Sequence, residues 1–129
     1  MIILSRFSAQ IYGLLRIVSG LMFAMHGAQK LFGWPTGQPM TGNPMMLTAA
    51  IIEFVGGLMI GLGFGTRIAG FIASGEMAVA YFMVHAKDSL YPLVNHGELA
   101  VVYCFLFLYF ASMGSGSLSL KSVMMKKKG

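Results

Sequence analysis

The sequence predicts an all-α membrane protein: a bundle of four transmembrane helices running up-down-up-down, with both termini cytoplasmic. Three observations predict it. Of 129 residues, 57% are hydrophobic and 10% are charged, against about 25% charged in an ordinary soluble domain. The apolar residues gather in four stretches bounded by Gly, Pro or polar residues. Basic residues fall almost entirely on one side of an alternating four-span thread, the side that the positive-inside rule makes cytoplasmic. Too little polar surface is left to cover a water-exposed globule, which excludes a soluble enzyme. The length allows one domain, read as a four-helix membrane unit over 1–120 followed by a basic cytoplasmic tail over 121–129.

The spans are expected over about 11–31, 47–64, 68–85 and 97–113. Crossing ~30 Å of hydrocarbon takes about 20 helical residues, so the fourth stretch needs Asn95 to Glu98 in its first turn. In lipid every backbone polar group must be satisfied internally, and at this length helices do so more readily than a barrel. The first span is read as retained. Its apolar core is long for a signal peptide, and Arg16, Gly27 and Lys30 fit a cleavage region poorly. Asn43-Pro44 offers an N-cap and a proline at the first helical position, opening the second span. Gly65 is expected to close that span in a left-handed conformation and Thr66 to cap the third at once, giving a tight hairpin. The Gly/Pro-rich run from Gly33 to Pro44 is a loop, with Trp34 suited to the membrane interface, and Tyr91-Pro92 marks the loop before the fourth span.

One side of this thread holds Arg6, Arg67, Lys121, Lys126, Lys127 and Lys128, with Arg16 just inside the first span; the other holds only Lys30 and Lys87. The expected location is therefore the cell (inner) membrane, with the longer loops outside. The net charge of +5 sits mainly in the C-terminal tail and serves topology and anionic lipid, so no nucleic-acid partner is expected. The lone Cys104 excludes an intrachain disulfide or a thiolate cluster and reads as a small buried hydrophobe.

Ionisable side chains inside a membrane are costly and mark function by default. Counting ~1.5 Å per residue, His26, Glu53, His85 and Glu98 all reach the outer third of the bilayer, each from a different span. Glu53 shares a helix face with Gly56 and Gly57, and Gly57-x3-Gly61-x3-Gly65 forms a small-residue seam; Glu53 is thus expected to face a neighbouring helix. Gly13, Gly20 and Gly27 form a second seam, and Ala69, Ala73 and Ala80 share the face of Glu76. Glu76 and His85, nine residues apart, point about 180° apart on a regular helix and share a site only if the helix unwinds between them. Glu76, deeper in the bilayer, is read with Arg16 as a structural ion pair.

Ordinary roles compete with these. Asn95-x2-Glu98 also fits a capping box, His26 and His85 fit the negative ends of helix dipoles, and Lys30 and Lys87 can snorkel to the headgroups. His96 reads as a solvated loop residue. Met22-x2-Met25-His26 has the spacing of soft copper ligands, although methionine also fills gaps in apolar packing.

In this order the residues resemble the DoxX family of small four-helix membrane proteins, from about Arg16 to Ser119. The resemblance rests on His26-Gly27-x2-Lys30, Glu53-x2-Gly56-Gly57, Thr66-Arg67, Ala80 before His85, Asn95-x2-Glu98 and Gly114-x-Gly116-x2-Ser119. The aspartate that often follows the last motif is replaced by Leu120 and Lys121. The resemblance implies association with respiratory and redox systems, through kinship with a small subunit of a thiosulfate:quinone oxidoreductase and with subunits of other membrane oxidoreductase assemblies.

Two functions follow as expectations. In the first, His26, Glu53, His85 and Glu98 accept protons around a quinone headgroup, with His26, Lys30, Glu53 and His85 binding it. A metal ion on His26, Glu53, His85 and Glu98 is the weaker form of this reading, since no Glu-x-x-His pair suggests a di-iron site. In the second, the chain is a non-catalytic accessory subunit whose glycine seams dock onto other membrane subunits or a second copy. A small-solute transporter is disfavoured by the lack of a broken helix or inverted repeat.

Overall fold

A computed structural model describes residues Met1–Lys128, and among them every regular element is helical. The elements are α1 (Ile2–Ser5), α2 (Ser8–Phe32), α3 (Pro44–Leu62), α4 (Thr66–Ala80) with a π-helical continuation over Tyr81–His85, α5 (Pro92–Asn95), α6 (Glu98–Met113) and α7 (Leu120–Lys128). Among the described residues three helices are long and apolar enough to cross a membrane: Ser8–Phe32, Pro44–Leu62 and Thr66–His85. The fourth apolar helix, α6, has 16 residues and is about 24 Å long, short of a full bilayer core. Asn95 does not lengthen it, because it ends α5; a left-handed His96 and the cap Gly97 stand between the two helices.

Local chemistry sets the helix ends. The Asn43 side chain accepts from Met45 N–H at 2.8 Å, with Pro44 at the first helical position. The hairpin between α3 and α4 differs from the expected one in a small way. Gly63 (φ 77°), not Gly65, closes α3, and Gly65 (φ 62°) caps α4 in place of Thr66. Two successive left-handed turns two residues apart need glycine at both positions. Thr66 instead bonds Ser115 Oγ at 2.8 Å, tying the hairpin to the segment after α6.

Two helix pairs make the body: α2 packs along α3, and α4 packs along α6. Glycine brings the first pair together. A Cβ on Gly20 would fall on the backbone of Gly57 and Gly61, and one on Gly27 on the backbone of Ala50 and Phe54. Close approach of backbones is what small-residue seams permit in helix pairs. In the second pair Gly70 lies against Phe107 and Ala111, and Ser74 donates to Cys104 O at 2.7 Å. Between the pairs lies an aromatic core. Phe23 of α2 meets Phe107 of α6 at a ring distance of 4.5 Å, and Tyr103 stacks on Phe107 at 5.0 Å. The outward faces carry exposed Ile68, Phe71, Phe82 and Phe105, side chains suited to acyl chains rather than water.

Arg16 overturns one expectation. It is completely buried, yet its guanidinium does not meet Glu76. Nη1 donates to Ile60 O and Gly61 O at 2.9 and 3.0 Å, and Nη2 to Ser117 O and Leu118 O at 3.0 and 2.8 Å. These carbonyls close α3 and line the turn before α7. Helix C-termini leave carbonyls without intrahelical partners and carry partial negative charge, so a guanidinium fork is a suitable cap. Tyr12 adds a 2.6 Å bond to Gly114 O. The C-terminal segment is thereby fastened to the bundle, and Lys121 N–H donates to Gly63 O at 3.2 Å.

Candidate functional site

Toward the end that carries the α2–α3 loop and α5, the two helix pairs part around a cavity of about 760 Å³. Its walls are mostly apolar, from Met45, Ile52, Ile72, Val79 and Met83 among others, and every long helix contributes to them. Polar groups enter from separate elements: His26 and Lys30 from α2, Glu53 from α3, and Glu76 from α4. Thr48, His85, His96 and Tyr103 complete the polar lining.

Glu53 is the anchor. It is 1% exposed because it lies one turn before Gly56 and Gly57 on the face pressed to α2. Lys30 donates to both of its oxygens, at 2.8 and 2.6 Å. Lys30 is thus an ion-pair partner at the mouth of the cavity rather than a snorkelling headgroup contact. Glu76, expected in a deeper layer with Arg16, belongs here: it lines the same cavity as Glu53. Its Oε2 is buried without a donor, and the Tyr103 hydroxyl is likewise buried without a partner. Buried polar atoms are nearly always bonded, so two orphans on one cavity wall call for a ligand or a proton.

The π-helical turn accounts for His85. Each π-bulge accommodates one extra residue, setting back everything after it by about 100°. Glu76 and His85, opposed on a regular helix, therefore both line the cavity. His85 Nδ1 lies 3.2 Å from Asn95 O, and Tyr81, whose hydroxyl donates to Leu90 O at 2.6 Å, braces the same turn. His26 borders the cavity from α2, its ring edge-on to Tyr103 at 6.2 Å.

Glu98 does not join them. It is exposed in the first turn of α6 and absent from the lining, which on this helix is formed by Leu99, Ala100 and Tyr103. A residue next to Leu99 is turned about 100° away. The capping box fails as well: Gly97 caps α6, and the Asn95 side chain accepts from Gly97 N–H and donates to Tyr81 Oη and Ser89 O. Glu98 is thus separated from His26, Glu53 and His85, and among the described residues no three His, Cys, Asp or Glu side chains converge as ligands. Met22 and Met25 are exposed and do not line the cavity with His26.

Sequence reasoning missed Tyr103 and misplaced Glu76. For Tyr103 a signal existed: a tyrosine midway along an apolar helix must find its hydroxyl a partner if buried.

Comparison with known proteins agrees with this architecture. The DoxX family model matches residues 12–86, more than half of the chain. An uncharacterized protein of Haemophilus influenzae is 42% identical, the alignment covering 96% of this chain and 98% of that one. "Putative oxidoreductase CatD" of Bacillus subtilis is 28% identical over 89% of this chain and 87% of its own. No solved structure matches significantly. Apolar helices of membrane-spanning length and a match of this extent make the protein a membrane protein that belongs to the DoxX family.

Proposed function

We propose that the protein is a redox-linked subunit of the cell (inner) membrane whose cavity takes the headgroup of a quinone. In this reading α2, α3, α4 and α6 are four spans, both termini are cytoplasmic, and the cavity opens in the outer leaflet. The observation that carries it is the pairing of unpartnered Glu76 Oε2 and Tyr103 Oη in a largely apolar space reached from all four helices. Small-molecule sites run to about 300–1,000 Å³ with few, convergent polar groups, and the volume here lies in that range. Apolar walls suit a prenyl tail or ring, and a hydroxyl and a carboxyl suit its oxygens. The name borne by the Bacillus subtilis relative supports redox chemistry in the family.

A bound quinone would supply the electron-carrying chemistry. The chain's own residues would do the rest: Tyr103 and Glu76 bind and orient polar oxygens, Phe23 and Met77 close the space against water, and Glu76 exchanges protons. His26 and His85, on the border, are further proton acceptors.

The test is purification of the full chain in mild detergent, with mass spectrometry of extracted quinones and binding of a short-chain ubiquinone or menaquinone. Wild type is expected to retain quinone. Tyr103→Phe and Glu76→Gln are each expected to weaken binding about tenfold, the equivalent of one lost hydrogen bond of ~1.4 kcal/mol. Co-purifying subunits whose activity survives both substitutions would instead assign the chain an accessory role.

A further inference from the structure

α3 and α4 are consecutive antiparallel helices joined by the Gly63–Gly65 turn, and helices so joined ordinarily pack against each other. Beyond that turn the cavity lies between them. Residues equally far from Phe64, at the middle of the turn, stand level: Ala49 with Val79, Ile52 with Glu76, and Glu53 with Gly75. All six line the cavity. A Cβ added to Gly75 of α4, or to Gly56 of α3, would meet nothing within 4 Å, so the gap is open from both sides. Several lining residues are also exposed: Thr48 on α3, and Ile72, Gly75 and Val79 on α4, Val79 to 55%. A residue that lines a cavity and also faces outward stands at its mouth. This mouth is a slit down the side of the bundle, between two helices of membrane-spanning length, and it faces acyl chains.

The opposite wall, where α2 meets α6, is polar at one point. Tyr103 packs against Phe23 at a ring distance of 5.4 Å and is only 4% exposed, yet its hydroxyl has no partner among the described residues. Glu76 Oε2 is buried without one as well. At the loop end a second mouth is bordered by the exposed His26 and His96. A hydrocarbon chain leaving there would enter water, whereas one leaving through the slit stays among other hydrocarbon chains.

We propose that the slit between α3 and α4 is a lateral portal. The ligand of the cavity is a membrane-dissolved amphiphile that enters sideways from the bilayer. It sets its polar head at Tyr103 and Glu76 and leaves its apolar chain between the two helices. The proposal rests on the quinone reading for the identity of the head, but not for the route. It makes the chain part of what the site recognises, since a head without one forgoes the contacts with Ile52, Ile72 and Val79.

Photolabelling of the purified full chain in lipid nanodiscs tests it. The probe is a long-chain alcohol carrying a diazirine beside its hydroxyl group, and mass spectrometry maps its adducts after illumination. In the wild type adducts are expected on Tyr103 or Met77, both buried on the cavity wall. Val79→Trp and Thr48→Trp, which fill the slit from opposite sides, are each expected to lower these adducts about tenfold. Val55→Trp, on an exposed face of α3 outside the cavity, is expected to leave them unchanged. No interior adduct in the wild type, or interior labelling undiminished in both slit variants, overturns the portal. The wild-type map decides the matter even if a variant fails to fold. A dimer that shields Ile72 and Val79 from the probe gives the slit to a second copy and likewise overturns it. Excess long-chain quinone separates the two readings. Displacement of the probe supports both; interior labelling in a protein that binds no quinone keeps the portal and sinks the functional reading; bound quinone without interior labelling does the reverse.

Discussion

Lys30 of α2 holds both carboxylate oxygens of Glu53 of α3, at 2.8 and 2.6 Å, across a helix interface built on glycine. Buried ion pairs add little net stability, but removing one partner exposes the other's desolvation penalty. We predict that Lys30→Met lowers stability at neutral pH by about 3 kcal/mol, read as thermal unfolding in detergent. The double variant Lys30→Met/Glu53→Met should be more stable than the single one. A double variant no more stable than Lys30→Met would contradict this account.

Adjacent glycines on α3 should respond oppositely. A Cβ at Gly57 would sit on the backbone of Ala24 and Gly20, whereas one at Gly56 meets nothing within 4 Å. Gly57→Ala should cost about 2 kcal/mol or more, since neither backbone can yield without parting the helices. Gly56→Ala should be neutral, or stabilising by up to about 1 kcal/mol from helix propensity. Melting temperatures of the two variants give the comparison.

Arg16 makes a third prediction. Its four carbonyl partners join the end of α3 to the turn before α7, and a lysine cannot present a planar fork to both sets. Arg16→Lys should therefore release the C-terminal segment before it unfolds the bundle. The measurable sign is faster trypsin cleavage after Lys121, with the α2–α3 body still resistant. Unchanged cleavage would mean that Tyr12 and Thr66 suffice to hold the segment.

The contrast between Arg16 and Glu53 shows what was legible in the sequence. The three helices of membrane-spanning length, the Asn43-Pro44 start and the burial of Glu53 behind glycines follow from apolar patterning and helix-end chemistry, both local. Arg16 was assigned a carboxylate because a sequence displays side-chain charges and hides carbonyls; its true partners are freed only by how α3 and α6 end. The pairing with Glu76 fails for the same reason. Glu53 lies nine residues before the end of α3 and Glu76 ten after the start of α4, so counting from the glycine turn puts them level. His85 depended on a π-helical turn that composition does not announce. Glu98 satisfied a depth count but lay one residue off the lining face of α6.

Gly75 offers the sharpest separation of cavity from fold. It lines the cavity, lies within α4, and a Cβ there would meet nothing within 4 Å. Gly70, five residues earlier on the same helix, would drive a Cβ to 2.8 Å from Phe107 O. A leucine at Gly75 can therefore grow into empty space while improving helix propensity by up to about 1 kcal/mol. Gly75→Leu should keep or raise the melting temperature and yet reduce quinone retention at least tenfold, by occupying the space a ring would need. Gly70→Leu should do the opposite, lowering stability by forcing α4 from α6. If Gly75→Leu folds normally and binds quinone as the wild type does, the ligand lies elsewhere, and the unpartnered Glu76 and Tyr103 atoms need another explanation.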